Sequence, residues 1–259
     1  MEGLDKEKIQ GVGQDRQLQE LKFIGLIASG IVHDFNNAIG IVRGYADLAL
    51  RATPSSDHNH TYLKQIIEGA DLSKDLAEKL RIFTRQKKPD FKLINIHSII
   101  DQAVIIFKDS LAAPIDLQQD IDTMCGAVLA DADQIQQVVI NLCNNANDAM
   151  GENGSVLKII LKEVDIGASL AEEYEGLNVG RYIQLTICDT GHGMDQEILK
   201  QIFEPFFTTN KTGTNAGLGL SVVHAIVKGH KGEIIAESHP GEGAKFDVYL
   251  PLAFKDLEN

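Results

Sequence analysis

Residues 131–150 read DADQIQQVVINLCNNANDAM, and this stretch decides what kind of domain the chain forms. Apolar residues recur in it every three or four positions, which predicts an amphipathic helix over residues 130–150. Asn141 and Asn145 are four positions apart and therefore share one face of that helix. Uncharged amide oxygens on that face can complete a magnesium shell whose other ligands are phosphates and water. A capped, partly exposed helix without a ligand is the competing interpretation.

Short apolar runs surround this helix and predict β-strands. A second helix is predicted over residues 96–111, and the polar segment 167–180 is predicted to be an exposed hairpin loop. Because strands and helices interleave, we expect an α+β fold class in which residues 89–259 form one α/β sandwich. The predicted strands cover residues 126–129, 156–164, 182–189, 233–238 and 245–250.

Two glycine-containing stretches in this part of the chain have the chemistry of a binding site. Residues 189–194, DTGHGM, follow a predicted strand, where a carboxylate can accept a hydrogen bond from a ligand amine and the glycines let the backbone approach that ligand. Residues 217–221, GLGLS, open a predicted helix, whose first N–H groups and positive dipole end attract phosphate. A plain turn and an ordinary helix cap are the interpretations without a ligand.

The first third of the chain has a different pattern, which predicts a helical hairpin over residues 21–88 after a polar leader, residues 1–20. Pro54 interrupts the helical pattern, and Ser55, Ser56 or Asp57 can cap the second helix. Two helices bury little apolar surface, so we expect two copies to pair into a four-helix bundle. The apolar seam of the first helix alternates four and three residues apart, at Ile24, Ala28, Ile31, Phe35, Ala38, Val42, Tyr45 and Ala49.

His33 occupies the position farthest from this seam and is therefore expected to face water. A solvated surface histidine is one interpretation. The other is a nucleophile, because a neutral imidazole has a lone pair available near pH 7. Asn37 lies one turn further along the same face, where its amide can hold a water beside a group attached to the ring. Asp34 is close enough in sequence to orient or deprotonate the imidazole.

Composition excludes several classes of protein. The 24 Lys and Arg against 37 Asp and Glu give a net charge of −13, which works against binding nucleic acid over a broad face. A 44% hydrophobic fraction is typical of a globular protein. Three cysteines without CxxC spacing fit a cytoplasmic location. The longest apolar stretch, residues 23–32, is too short for a membrane helix, so no membrane insertion of this chain is expected.

Taken in order, these stretches resemble the sequence boxes of the sensor histidine kinases of two-component systems. The resemblance covers about residues 21–251 and implies the architecture of that family, a dimeric four-helix bundle of phosphotransfer hairpins followed by a Bergerat-type ATP-binding domain. The similar segments are residues 33–37 (H box, HDFNN), 141–146 (N box), 189–193 (G1 box), 203–207 (F box), 217–220 (G2 box) and 241–251 (closing strands).

The resemblance also implies roles for individual residues. His33 would accept the γ-phosphoryl group of ATP, Asp34 would assist as base, and Asn37 would position water when the enzyme acts in reverse as a phosphatase. Asn145 would bind Mg²⁺. The other residues of the implied ATP site are Asn141, Asp189, Gly191, Gly193, Lys211, Gly217, Leu218 and Gly219.

The partners that the resemblance implies are a second copy of the chain, ATP with Mg²⁺, and the receiver domain of a response regulator, whose aspartate takes the phosphoryl group. The lid departs from the family pattern, since Asn210 precedes Lys211 and Asn215-Ala216 stands where Gly-Thr is usual. Two other functions stay open. One is a nucleotide-driven clamp like those of chaperones and mismatch repair, against which the hairpin with His33 counts. The other is a phosphotransfer or docking scaffold impaired in ATP turnover.

Overall fold

The computed structural model describes residues 35–84, 89–111, 115–151, 156–174, 176–209 and 217–253. The chain divides near residue 88 into two units. We call residues 35–84 the hairpin unit, and residues 89–208 with 217–253 the sheet unit. No helix within the described ranges is long and apolar enough to cross a lipid bilayer.

The hairpin unit contains two helices joined by a short turn. Helix α1 covers residues 35–52 of the described chain, and α2 spans His58–Thr84. Asp57 caps α2, since its Oδ1 accepts a hydrogen bond from the Asn59 N–H at 2.8 Å, which confirms one of the three predicted caps. The two helices are joined by an ion pair between Arg43 Nε and Asp71 Oδ1 at 2.5 Å.

The predicted apolar seam of α1 lies on its exposed surface. Phe35, Val42 and Tyr45 are 45%, 48% and 72% exposed, whereas Ala46 and Ala70, close to the Arg43–Asp71 pair, are buried. The seam therefore does not form the contact between α1 and α2 of one chain. It leaves a row of large apolar side chains on the outside of the hairpin.

The sheet unit is built on a five-stranded sheet with strand order β2-β4-β5-β7-β6. β2 pairs parallel with β4, and the other neighbours pair antiparallel. A separate two-stranded sheet joins β1 and β3. The strands are β1 (Lys92–Ile94), β2 (Asp116–Ile121), β3 (Val128–Ala130), β4 (Val156–Ile166), β5 (Gly180–Asp189), β6 (Glu233–Ser238) and β7 (Ala244–Pro251).

Helices cover one face of the larger sheet and enclose the main core. They are α3 (Ile96–Ser110), α4 (Ala132–Met150) and α7 (Gly219–Gly229). Alternate residues of β4 and β5 point into this core, as the two-residue period of a strand requires, and they are almost fully buried: Leu157, Ile159, Leu161, Ile183, Leu185 and Ile187. The mixed α+β architecture predicted from the sequence is confirmed.

Several details differ from the prediction, among them the unpredicted strands β1 and β2 and the bounds of β3. Residues 167–180 connect the antiparallel strands β4 and β5 and are largely exposed, as predicted, but they contain helix α5 (Ala168–Glu173) and bury Leu177 to 3% exposure against Tyr182 and Tyr249 on the second face of the sheet. Helix α4 begins at Ala132 instead of residue 130, since Ala130 is paired with Lys92 in the small sheet. A short helix α6 (Gln196–Leu199) follows β5.

Candidate functional site

The two asparagines that share a face of α4 lie against the first residue of α7. Asn141 donates from Nδ2 to the Gly219 carbonyl at 3.4 Å. A Cβ added at Gly219 would lie 3.6 Å from Asn145 Oδ1 and 3.8 Å from its Nδ2. Asn145 Nδ2 is buried and has no hydrogen-bond partner among the residues that the structure describes. A buried amide left unpaired is costly, so this group has the character of a ligand-binding side chain.

The carboxylate of Asp189 lies at the end of β5 and is 3% exposed. Its Oδ1 accepts hydrogen bonds from the Gly191 N–H at 2.8 Å and the Ala244 N–H at 3.2 Å. Burial raises the pKa of Asp189, and the two N–H donors oppose that change. Both of these bonds are accepted by the same carboxylate oxygen, Oδ1.

Helix α4 connects these two clusters. The His192 N–H donates to the Ala149 carbonyl at 3.1 Å, which fixes the turn after β5 against the last turn of α4. Gly191 must be small there, since a Cβ would lie 2.7 Å from the Ala149 carbonyl oxygen. Asn145 and Ala149 are four residues apart and share one face. The two clusters therefore meet α4 on one side, at Asn145 and Ala149, which are about 6 Å apart along the helix axis.

The segment before α7 is held by residues 206 and 207. Gly217 has a φ of +66°, and its carbonyl accepts a hydrogen bond from the Phe206 N–H at 3.0 Å. Leu218 is 6% exposed and its carbonyl accepts the first α7 bond, from the Val222 N–H at 3.0 Å. The start of α7 is thus fixed while its first N–H groups stay available at a helix N-terminus, a position that attracts phosphate.

We expect Gly217→Ala to lower the melting temperature of the sheet unit by about 4–8 °C, through left-handed backbone strain and through crowding. A Cβ at position 217 would lie 2.6 Å from the Phe206 carbonyl carbon and the Phe207 oxygen. Gly241→Ala is the matched control, since Gly241 also has a positive φ, +84°, but nothing lies within 4 Å of its Cβ position. Scanning calorimetry measures both melting temperatures. An equal decrease for the two variants would contradict steric crowding at position 217.

The other predicted residues belong to the hairpin unit, lie outside the described residues, or lie elsewhere in the sheet unit. Asn37 is exposed on α1, in the hairpin unit. His33, Asp34 and Lys211 lie outside the described residues, as do Asn210, Asn215 and Ala216. Gly193 is described, with a φ of +65°, and a Cβ there would lie 1.9 Å from the His239 carbonyl oxygen.

The structure adds two residues that sequence reasoning missed. The Ala244 N–H is the second donor to Asp189, and the Ser238 hydroxyl accepts from the Met194 N–H at 2.8 Å while donating to the Gly243 carbonyl at 2.6 Å. Ser238 thereby links the turn after β5 to the β6–β7 connection. The glycines of GEGA, residues 241–244, indicate a tight connection, but the sequence did not predict that this connection contacts Asp189.

Comparison with known proteins relates the sheet unit to a family of ATPases. The family model for histidine kinase-, DNA gyrase B- and HSP90-like ATPases matches residues 130–254, the part of the chain that contains both clusters. The sensor kinase CckA of Brucella abortus is 33% identical over 245 residues, which cover 94% of this chain and 26% of CckA. The chain is a homologue of the sensor histidine kinases.

A second sensor histidine kinase, ZraS of Klebsiella oxytoca, is 30% identical over 245 residues, which cover 92% of this chain and 49% of ZraS. The chain therefore spans half or less of the length of these two histidine kinases.

Solved histidine kinase structures share the fold. ThkA, in complex with the response regulator protein TrrA, superposes with a TM-score of 0.61 at 22% identity, over 94% of this chain and 66% of that one. Full-length ShkA in complex with AMPPNP superposes with a TM-score of 0.59 at 22% identity, over 87% and 45%. These structures confirm the α/β ATPase-like domain that the sequence of this histidine kinase homologue predicted.

Proposed function

We propose that this chain is an ATP-dependent protein histidine kinase that phosphorylates itself on His33 and passes the phosphoryl group to an aspartate of a response regulator. The observation that carries the proposal is Asn145 Nδ2, a buried donor beside Gly219 at the N-terminus of α7 that finds no acceptor within the described part of the chain. An amide pair, a helix N-terminus and a buried carboxylate on one side of α4 have the chemistry of a nucleotide site. The match to the ATPase family over the same residues supports this assignment.

In this proposal the buried carboxylate and the helix N-terminus hold opposite ends of ATP. Asp189 accepts a hydrogen bond from the adenine amine, within the backbone shaped by Gly191 and Gly193. The first N–H groups of α7 receive phosphate oxygens. The AMPPNP complex of ShkA is consistent with nucleotide binding to this fold.

The amides of α4 fit a divalent ion bound together with ATP. Asn145 Oδ1 lies 3.6 Å from the Cβ position of Gly219, and Asn141 lies one turn before Asn145 on the same face of α4. Amide oxygens are ligands that Mg²⁺ accepts beside phosphates and water. When bound, the ion would neutralise charge on the phosphates. The protein supplies position and electrostatics, which provide most of the catalysis of phosphoryl transfer.

The acceptor in the proposal is His33, with Asp34 as its base. An imidazole nitrogen of His33 forms a bond to the γ-phosphorus while the bond from that phosphorus to the β,γ-bridging oxygen breaks, so ADP leaves. Asn37, which is exposed on α1, positions water for the reverse, phosphatase role.

The proposed protein partners are a second copy of the chain and a receiver domain. ThkA, which shares the fold, was solved with a response regulator protein. The exposed seam residues Phe35, Val42 and Tyr45 support pairing of two hairpins into a four-helix bundle, since apolar rows on monomeric surfaces are rarely this continuous. Three free cysteines fit a cytoplasmic location.

We expect Val42→Glu to convert the dimer to a monomer, because a charge in the centre of an apolar four-helix seam would lose its solvation. Lys64→Glu is the matched control, placing the same side chain at an exposed position of α2 outside the seam. Light scattering at increasing protein concentration measures the mass directly. If Val42→Glu keeps the mass of the unmodified chain, the seam is not the dimer interface.

The reaction is tested by comparing ATP labelled at the γ-phosphate with ATP labelled at the α-phosphate, each with Mg²⁺. A histidine kinase retains the γ-label through a denaturing gel and does not retain the α-label. Tight binding of AMPPNP without γ-label would overturn the kinase assignment and support the scaffold alternative. Failure to bind AMPPNP would overturn the nucleotide site itself.

A further inference from the structure

His230, the residue that follows α7, and Asp131, the residue before α4, form a buried contact. The site described above does not use this contact. His230 Nε2 is 3.0 Å from the Asp131 backbone nitrogen, and His230 Nδ1 is 2.8 Å from the Ile226 carbonyl oxygen. His230 and Asp131 are 4% and 8% exposed. Because a backbone N–H can only donate, Nε2 must be the acceptor, and the ring proton must be on Nδ1.

Asp131 extends this contact to the segment that enters the sheet unit. Its Oδ1 accepts from the Gln134 N–H at 3.0 Å and caps α4, and its Oδ2 accepts from the Asp90 N–H at 2.7 Å. The Phe91 ring lies 4.9 Å from the His230 ring and covers it. One histidine thus ties together the start of α4, the end of α7 and residues 90–91.

The two helices that this contact joins are the two that form the proposed phosphate end of the site. α4 and α7 pack side by side. Asn141 contacts Gly219 at one end of α7, and Asp131 contacts His230 at the other end. Since helices move as rigid elements, losing the second contact would free α7 to tilt about the first and change the spacing between Asn145 and Gly219.

We propose that His230, in its neutral Nδ1–H form, is a positioning residue that sets the spacing of α4 and α7 for nucleotide binding. The inference rests on the proposed function, because its test measures nucleotide affinity. His230 makes no contact with ATP in this proposal and acts through Asp131 and the two helices.

Protonation of the ring would reverse the contact. Burial lowers the pKa of His230, while the Asp131 carboxylate and the Ile226 carbonyl oppose this. On the segment packed against the ring, Asp90 and Lys92 pair with each other at an exposed position, and Lys228 on α7 pairs with Glu233. A proton on Nε2 would place two donors face to face at Asp131, so nucleotide affinity should fall as pH drops through the lowered pKa.

The test measures AMPPNP affinity with Mg²⁺ by calorimetry between pH 5 and pH 8, on the full chain. We expect His230→Leu, which removes the acceptor, to weaken binding about tenfold at pH 7.5. His230→Gln keeps an acceptor that does not titrate. It should bind like the unmodified chain at pH 7.5 and lose the fall in affinity at acidic pH. His58→Gln, at an exposed position of α2, is the matched control.

Nitrogen-15 histidine NMR spectra provide a readout independent of ATP, since the Nδ1–H tautomer has a distinct pattern of ring shifts. A buried histidine with the Nε2–H tautomer would overturn the proposal even if the site binds ATP. Equal affinity and equal pH profiles for the unmodified chain and His230→Leu would overturn the positioning role alone. No AMPPNP binding by the unmodified chain would overturn the proposed function and the positioning role together.

Discussion

Replacing Asn145 with alanine is expected to lower the initial rate of γ-phosphate incorporation about 100-fold or more. The variant removes the Asn145 amide beside Gly219, and removal of one preorganised electrostatic group from an active site typically costs that much. AMPPNP binding should also lose most of its dependence on Mg²⁺. Labelling rates and calorimetric titrations with and without Mg²⁺ measure the two effects.

The same variant is not expected to unfold. Asn145 Nδ2 is buried and none of the described residues accepts a hydrogen bond from it, so its removal takes away an unpaired polar group and should leave the melting temperature unchanged or higher. Asn144→Ala is the matched control, because the neighbouring asparagine on α4 is exposed. If the two variants label equally well, Asn145 is not a ligand of the ion or the nucleotide.

The second large effect is expected from Asp189→Asn. An amide in place of the carboxylate loses a charge-assisted hydrogen bond to the adenine amine, so AMPPNP affinity should fall about 10- to 100-fold. The amide oxygen that this substitution introduces can still accept from the two backbone N–H groups that Asp189 uses now. Calorimetry measures the affinity, and Asp101→Asn, at an exposed position of α3, provides the control.

The pH dependence of stability separates this loss of function from a loss of fold. Burial raises the pKa of Asp189 above its value in the unfolded chain, so folding favours the protonated form. Its contribution is favourable below the unfolded pKa, about 4, and is lost as pH rises through the folded pKa. Asp189→Asn should therefore melt at the same or a higher temperature than the unmodified chain at pH 7. A lower melting temperature there would show that the carboxylate is needed for the fold.

Much of the sheet unit could be predicted from the sequence because its strands are buried on a regular period. Alternate residues of β4 and β5 are apolar and face the main core, and α4 carries its apolar residues on one side, so the sequence pattern and the packing agree. β2 was missed because Asp116–Ile121 is an edge strand with mostly exposed polar residues. β1 was missed because three residues are too short to show a period.

The parts of the candidate site that could be predicted are those whose residues lie in a single helix or a single turn. The Asn141–Asn145 spacing and the DTGHGM stretch are local, and the order of the boxes related them to one another. The Ala244 donor and the His230–Asp131 contact were not predicted. They join residues 55 and 99 positions apart, and such pairs are determined by strand order and helix packing.

The acceptor is tested most directly by labelling the unmodified chain, His33→Gln and His60→Gln with γ-labelled ATP and Mg²⁺, and then treating each product with acid or alkali. Phosphohistidine is lost in acid and survives alkali. We predict acid-labile label on the unmodified chain and on His60→Gln, and none on His33→Gln. Equal label on all three proteins, or a label that survives acid, would contradict autophosphorylation on His33.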